Sequence, residues 1–316
     1  MDPTIYLPLA ASGLLCLFGA RLGRWLPPAT AVWLLSLTAL VTALATGFVL
    51  SIAGFVVLAQ VPGVAAFGHW SPHDLPMSGT VPTAAGVLAG LTVLVLLASC
   101  LHRTARTARD LATAAILCKR LGPSAARLVV VDDPRADAFA LPGFSGKVVV
   151  TRAMLKALSA EERRVLLAHE MAHLRQRHHV YIVIAELAAS ANPLMRPLAD
   201  AVRTAAERAA DEMAADEVAD RRLTARALAR AGLARAATRS ANCGAIPAAA
   251  LAAVNASVAD RARALLGPPP KRRPGLVVAV TAMMLIITAS TLWTVHTTED
   301  RFEQAHTLTA SGSNRE

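Results

Sequence analysis

Residues 166–173 read Leu-Leu-Ala-His-Glu-Met-Ala-His. Four residues advance an α-helix by about 400°, so His169 and His173 fall on one face, one turn apart. Imidazoles so placed can converge on one divalent ion at roughly 2.0–2.1 Å, the length of a Zn–N bond. Glu170 points to the neighbouring side of that face, where its carboxylate can take a proton from water. The pattern implies hydrolysis assisted by one Zn²⁺ per chain. A solvated helix face would explain a lone His-Glu pair, but not two histidines at ligand spacing.

A catalytic zinc needs a third protein ligand and one open position. His179 lies ten residues after His169, but on an uninterrupted helix it would sit about 15 Å along the axis, out of reach. A glycine that would turn the chain back is missing, because position 176 is Gln. His178 fails for a similar reason. Glu207 has Asp211 one turn later on the same face, among Ala206, Ala209 and Ala210, which let two helices approach closely. Glu207 is therefore the expected third ligand, with Asp211 orienting a ligating histidine. The bland alternative is a set of surface ion pairs with Arg203, Arg208 and Arg221. Tyr181 and Arg208 are both candidates for holding an oxyanion, and nothing in the sequence selects between them. His69, His73 and Asp74 read as an exposed polar loop.

Several elements must position these groups. Ser159 followed by Glu162 has capping-box spacing and starts the His-Glu-x-x-His helix, and Asn192-Pro193 marks a stop. A second helix runs through Ala199–Ala219, and further helical stretches cover about 222–240 and 248–266. Arg127–Val131 reads as a strand. Ala136–Ala140 and Lys147–Thr151 read as two more, joined through the Pro/Gly-rich turn Leu141–Gly146. One of these two exposes an edge for an extended peptide, with Ala138, Phe139, Ala140, Val148 and Val149 as the contact residues.

The 316-residue chain is 54% apolar and only 17% charged, a membrane signature. Four apolar segments qualify as spans: Ile5–Ala20, Ala29–Ala59, Thr83–Leu101 and Gly275–Val295. Gly47 and Gly54 raise the option of two half-spans within Ala29–Ala59, but one long tilted helix is preferred. The net charge is +10, with basic residues mainly between Arg103 and Arg273 and interleaved with Asp and Glu; Arg21–Arg24, Arg103–Arg109 and Lys271–Arg273 flank apolar runs, whereas Gln60–Pro82 has no Lys or Arg. The positive-inside rule then puts the N-terminus outside, residues 102–274 in the cytoplasm and the tail outside the plasma membrane. This distribution argues against a nucleic-acid partner. Val180–Ala191 spans only about 18 Å as a helix and must be buried or lie on the membrane surface, since crossing would separate Glu207 from His169. The four cysteines are scattered without metal-ligand spacing and read as reduced.

The fold class is thus mainly α: a polytopic membrane protein with a cytoplasmic α+β zincin-like domain of gluzincin type between the third and fourth spans. The expected units are 1–101, 102–274, 275–295 and 296–316. The run Ala-Phe-Ala-Leu-Pro-Gly (138–143), Val-Val-Val-Thr (148–151), Ser-Ala-Glu-Glu (159–162), His-Glu-Met-Ala-His (169–173), Asn-Pro-Leu (192–194) and Glu-Arg-Ala-Ala-Asp-Glu (207–212) resembles the BlaR/MecR type of integral-membrane metallopeptidase, the β-lactam sensor-transducers. The resemblance covers about 100–300. It implies His169, His173 and Glu207 as zinc ligands and Glu170 as catalytic acid/base. Those sensors carry a penicillin-binding domain after the last span, where this sequence has some twenty polar residues, so β-lactam sensing through a domain of its own is not expected. HtpX-type and CAAX-processing-type membrane peptidases share the zinc motif and the Ala-Phe-Ala strand and form the runner-up. A non-catalytic zinc-binding signalling protein is the rival from another class. The expected partners are a protein or peptide substrate and the lipid bilayer, with self-association as a homo-oligomer left open.

Overall fold

The computed structural model describes residues 6–68, 82–120, 127–143, 146–242 and 258–313. His69, His73 and Asp74, Cys243, and parts of the expected 141–146 turn and 248–266 helix lie outside them. The described chain is mainly helical. Its N-terminal helices are α1 (Leu7–Trp25), α2 (Pro28–Leu58), the short α3 (Pro62–Gly68) and α4 (Thr83–Arg120), and at the far end comes α11 (Pro274–Ser313). Between α4 and α11 come β1 (Leu128–Val131), β2 (Ala138–Leu141), β3 (Lys147–Thr151), α5 (Arg152–Ala157), α6 (Ala160–Arg175), α7 (His178–Ala191), α8 (Arg196–Val218) and α9 (Arg221–Asn242). A last helix, α10, covers 258–266.

Three of the described helices are long and apolar enough to cross a membrane: Pro28–Leu58, Thr83–Arg120 and Pro274–Thr297. The first expected span, α1, is not among them, because its last two turns carry Arg21 and Arg24. Instead α1 supports α8. Gly23 lies so close to Ala201 that an added Cβ would come within 2.8 Å of the alanine methyl. No side chain larger than hydrogen fits there without movement.

α2 is one continuous helix, as expected, and its surroundings change along its length. Its N-terminal half is buried, with Ala31, Val32, Leu34, Leu35 and Ala39 in the main core beside Leu198, Val202 and Ala206 of α8. Its C-terminal half exposes Leu44, Phe55 and Leu58. One uncharged run therefore serves two environments, a protein core and then an apolar outer surface.

α7 is neither a span nor a surface helix. It packs against α2, α4 and α8, and Ser36 Oγ donates to the Tyr181 carbonyl at 3.0 Å. At its end Asn192 Oδ1 accepts from the Leu194 N–H at 3.2 Å, while Asn192 Nδ2 donates to Ser12 Oγ at 2.9 Å. The α7–α8 hairpin is thus pinned at its tip to α1 and α2. Glu186, the acid within the apolar run of α7, pairs with Arg103 of α4 and Arg203 of α8, which satisfies a charge that would be costly alone in an apolar setting.

The sheet has the order β1-β3-β2, with β1 parallel and β2 antiparallel to β3. Val148 and Val150 face α5, α6 and α9 in one cluster, and Val149 faces Cys118 of α4 in another, following the two-residue period of a strand. Because β3 is paired on both sides, Val148 and Val149 have no free edge. That part of the sequence expectation is corrected, and only β2 retains an open side toward the site.

Candidate metal centre

The helix carrying the two histidines begins as its sequence implies. Ser159 Oγ accepts from the Glu162 N–H at 3.3 Å and Glu162 Oε2 accepts from the Ser159 N–H at 2.9 Å. The Glu162 side chain is buried, with Arg230 at 3.1 Å and Arg226 at 3.5 Å. α6 is therefore fixed at its start by a cap and by ion pairs from α9.

Its two histidines meet α8. His169 Nε2 and His173 Nε2 lie 3.2 Å apart. Glu207 places Oε1 3.5 Å from His173 Nε2 and Oε2 3.8 Å from His169 Nε2. Donors about 2.05 Å from a tetrahedral ion stand about 3.3 Å from one another. The two Glu207 distances run to different carboxylate oxygens, but one donor atom from each of the three residues lies within 4.8 Å of the others, so with a small side-chain adjustment the residues present fit a divalent metal. Ala205, Ala206, Ala209 and Ala210 are buried along α8, and their small size lets α6 and α8 come this close.

Each of the two histidines has a polar neighbour about 3.0 Å from its other ring nitrogen. His169 Nδ1 is 3.0 Å from Asp211 Oδ1, in the supporting position expected for Asp211. His173 Nδ1 is 3.0 Å from His178 Nδ1. This contact was not foreseen, because the helix does not continue. Arg177 adopts φ 50° and ψ 40°, a left-handed conformation, and ends the helical path without a glycine. The chain turns there, and His178, which the sequence sets aside as out of reach of the ion, is buried against His173.

Arg261 of α10 is a second residue that sequence reasoning missed. Its Nε and Nη2 donate to the two oxygens of Asp211 at 2.7 and 2.6 Å, and its Nη1 lies 2.7 Å from Glu207 Oε2. Fifty residues separate Arg261 from Asp211, and no local spacing announces the pair.

The electrostatics follow from burial and these contacts. Burial holds His173 down to about 3, with help from the neighbouring His169 and His178, so its ring is neutral with a lone pair available. Burial also lowers His178, to about 4. For His169 burial works downward, but the Asp211 carboxylate outweighs it and the net shift is upward. Burial pushes Asp211 up, and Arg261 and His169 more than reverse this. Glu170 is raised, chiefly by burial, which makes it a better proton acceptor than a solvated carboxylate.

Two cavities flank the centre and share Glu170, His173 and Glu207. One, of about 230 Å³, is bounded by Ala138, Phe139, Leu228, Gly232, Arg235 and Arg261. The other, of about 220 Å³, is bounded by Ala140, Pro142, Leu174, His179 and Ile182. β2 runs past both. Thr151 N–H bonds to the Asp137 carbonyl at 2.9 Å, so by alternation Phe139 and Leu141 bond toward β3, while Ala138 and Ala140 turn their backbone groups to the open edge. The Ala138 carbonyl already accepts from Arg235 Nη2 at 2.8 Å. Tyr181 and Arg208 line neither cavity. The cations that do are Arg235 and Arg261.

The profile of peptidase family M48 matches residues 101–194. The matched stretch carries His169, Glu170, His173 and His178 and ends before Glu207. It supports a membrane-associated, metal-dependent peptidase, does not single out the BlaR/MecR type, and is equally compatible with an HtpX-like protein. Neither curated proteins nor solved structures give a match.

Proposed function

We propose that this chain is a membrane-embedded zinc metalloendopeptidase that cleaves a cytoplasmic or membrane-proximal protein. The observation that carries the reading is the spacing of His169 Nε2, His173 Nε2 and the Glu207 carboxylate beside the buried Glu170, with cavities on both sides. His169, His173 and Glu207 would hold Zn²⁺, and Asp211 and His178 would orient the rings. When bound, the ion supplies Lewis acidity, polarising the scissile carbonyl and making water nucleophilic at neutral pH.

The remaining work falls to the chain. The substrate adds to the β2 edge as an extended strand, with Ala140 as its main backbone partner. Glu170 takes a proton from the attacking water on its carboxylate and later delivers it to the leaving nitrogen. Arg235 sits beside the cleft at the height of Ala138, where its positive charge favours developing negative charge on the substrate. In this reading residues 102–274 are cytoplasmic, α1 counts as a fourth membrane helix, and the BlaR/MecR type with a signalling role is the closer relation. An HtpX-like role in quality control or processing is the alternative that the M48 match allows equally.

Glu170→Gln tests the reading. The variant should bind one zinc per chain and lose about 10²–10⁴ in turnover. Comparative proteomics of cells expressing wild type and this variant would show the substrate as a protein whose fragments vanish. Full activity in Glu170→Gln would reject the hydrolase, and a zinc-bound wild type without any zinc-dependent cleavage would favour the non-catalytic signalling protein.

A further inference from the structure

A third cavity, of about 680 Å³, lies beside α8 and shares Glu207 and Arg261 with the first of the two cleft cavities. Four guanidinium groups border it, from Arg24, Arg203, Arg208 and Arg261, against two acids, Glu207 and Asp260. Both acids are already paired, Glu207 with Arg261 at 2.7 Å and Asp260 with Arg263 at 2.6 Å. Arg203 is paired with Glu186 and Asp200. Among the described residues no carboxylate lies within ion-pair distance of Arg24 or Arg208. The half-buried Arg208 only reaches the Gly23 carbonyl, at 3.4 Å.

Two uncompensated guanidinium groups facing one cavity call for an anion, and their planar forks suit a phosphate. The surroundings suggest its source. Trp25, next to Arg24, is 47% exposed, and Leu14, Leu17 and Phe18 are exposed further along the same helix. An apolar outer face that ends in Trp and Arg marks the level of lipid headgroups. We infer that this cavity binds the phosphate of an anionic phospholipid, held by Arg24 and Arg208, with its acyl chains along the exposed face of α1. Arg203 and Arg208 stand on α8 on either side of Glu207, so the bound lipid braces the helix that presents the third metal donor. The inference concerns binding and stands whether or not the centre hydrolyses peptides.

The test uses the full chain in detergent, titrated with short-chain phosphatidylglycerol or phosphatidylcholine and read by native mass spectrometry and thermal unfolding. Saturable binding of about one phosphatidylglycerol, with no comparable phosphatidylcholine adduct, is expected. Arg24→Gln, at an exposed residue without an acidic partner, should weaken binding about fivefold, and Arg24→Gln with Arg208→Gln about 30-fold, from the typical contribution of each basic residue at an anionic surface. Arg21→Gln, on α1 outside the cavity but stacked over Phe18, should weaken binding less than Arg24→Gln. Equal losses in Arg21→Gln and Arg24→Gln would overturn the site in favour of diffuse surface attraction. Glycerol phosphate or a phosphopeptide binding as tightly as the lipid would overturn the lipid assignment.

Discussion

Asp211→Asn separates a supporting carboxylate from a bystander. Asp211 is 2% exposed, lies 3.0 Å from His169 Nδ1, and accepts from Arg261 at 2.7 and 2.6 Å. The amide keeps the shape but removes the charge, and its NH₂ must face a donor, either the His169 ring or Arg261. Loss of a carboxylate behind a ligating histidine typically lowers metal affinity 10–100-fold. The same change strips a bidentate partner from a mostly buried guanidinium. Breaking such a pair costs about 3–5 kcal/mol when nothing replaces it. Glu207 remains 2.7 Å from Arg261, so the lower end, about 3 kcal/mol, applies to the metal-free protein. Zinc affinity by competition with a chromophoric chelator, and unfolding of the metal-free chain in detergent, measure the two effects separately. A variant with wild-type zinc affinity would refute the orienting role. One with wild-type stability would refute the Arg261 bridge.

Two further changes probe the helix that carries the histidines. His178→Ala should weaken zinc binding about tenfold through His173, while His179→Ala, which lines the second cavity without touching a ligand ring, should not; equal affinities in both would remove His178 from the site. Glu162→Gln keeps the cap geometry but removes the charge facing Arg226 and Arg230, both largely exposed, so about 1 kcal/mol of stability should go at neutral pH. Although burial raises the Glu162 pKa, the Ser159 N–H and Arg230 outweigh it, leaving the folded value below the ordinary 4.5. The stabilisation is therefore complete above about pH 4.5 and is lost as pH falls through the lower folded value. Wild type should lose stability over that window more steeply than Glu162→Gln, and parallel pH–stability curves would contradict this.

The parts of the site that sequence revealed are those with local rules. The i,i+4 spacing of His169 and His173, the Ser159–Glu162 box and the β-branched run in Lys147–Thr151 each depend on neighbours within one element. Glu207 and Asp211 were legible because alanines around them advertise close helix packing. What stayed hidden depended on contacts across the chain. Arg261 finds Asp211 from fifty residues away. His178 returns to His173 because Arg177 takes a left-handed conformation, which its residue type does not suggest. The buried half of α2 is indistinguishable by composition from the half that is exposed, since a protein core and a lipid core select the same residues. β3 and β2 both read as strands, and only their pairing decided which one has an open edge.

The central claim is that His169, His173 and Glu207 together hold one metal ion. X-ray absorption at the zinc edge of the purified, zinc-loaded chain, compared with Glu207→Gln, tests it directly. Two imidazole ligands with oxygen neighbours at about 2.0–2.2 Å in wild type, with zinc binding weakened in the variant, is the predicted result. A chain that binds no zinc, or an absorption spectrum and affinity unchanged by Glu207→Gln, would contradict it.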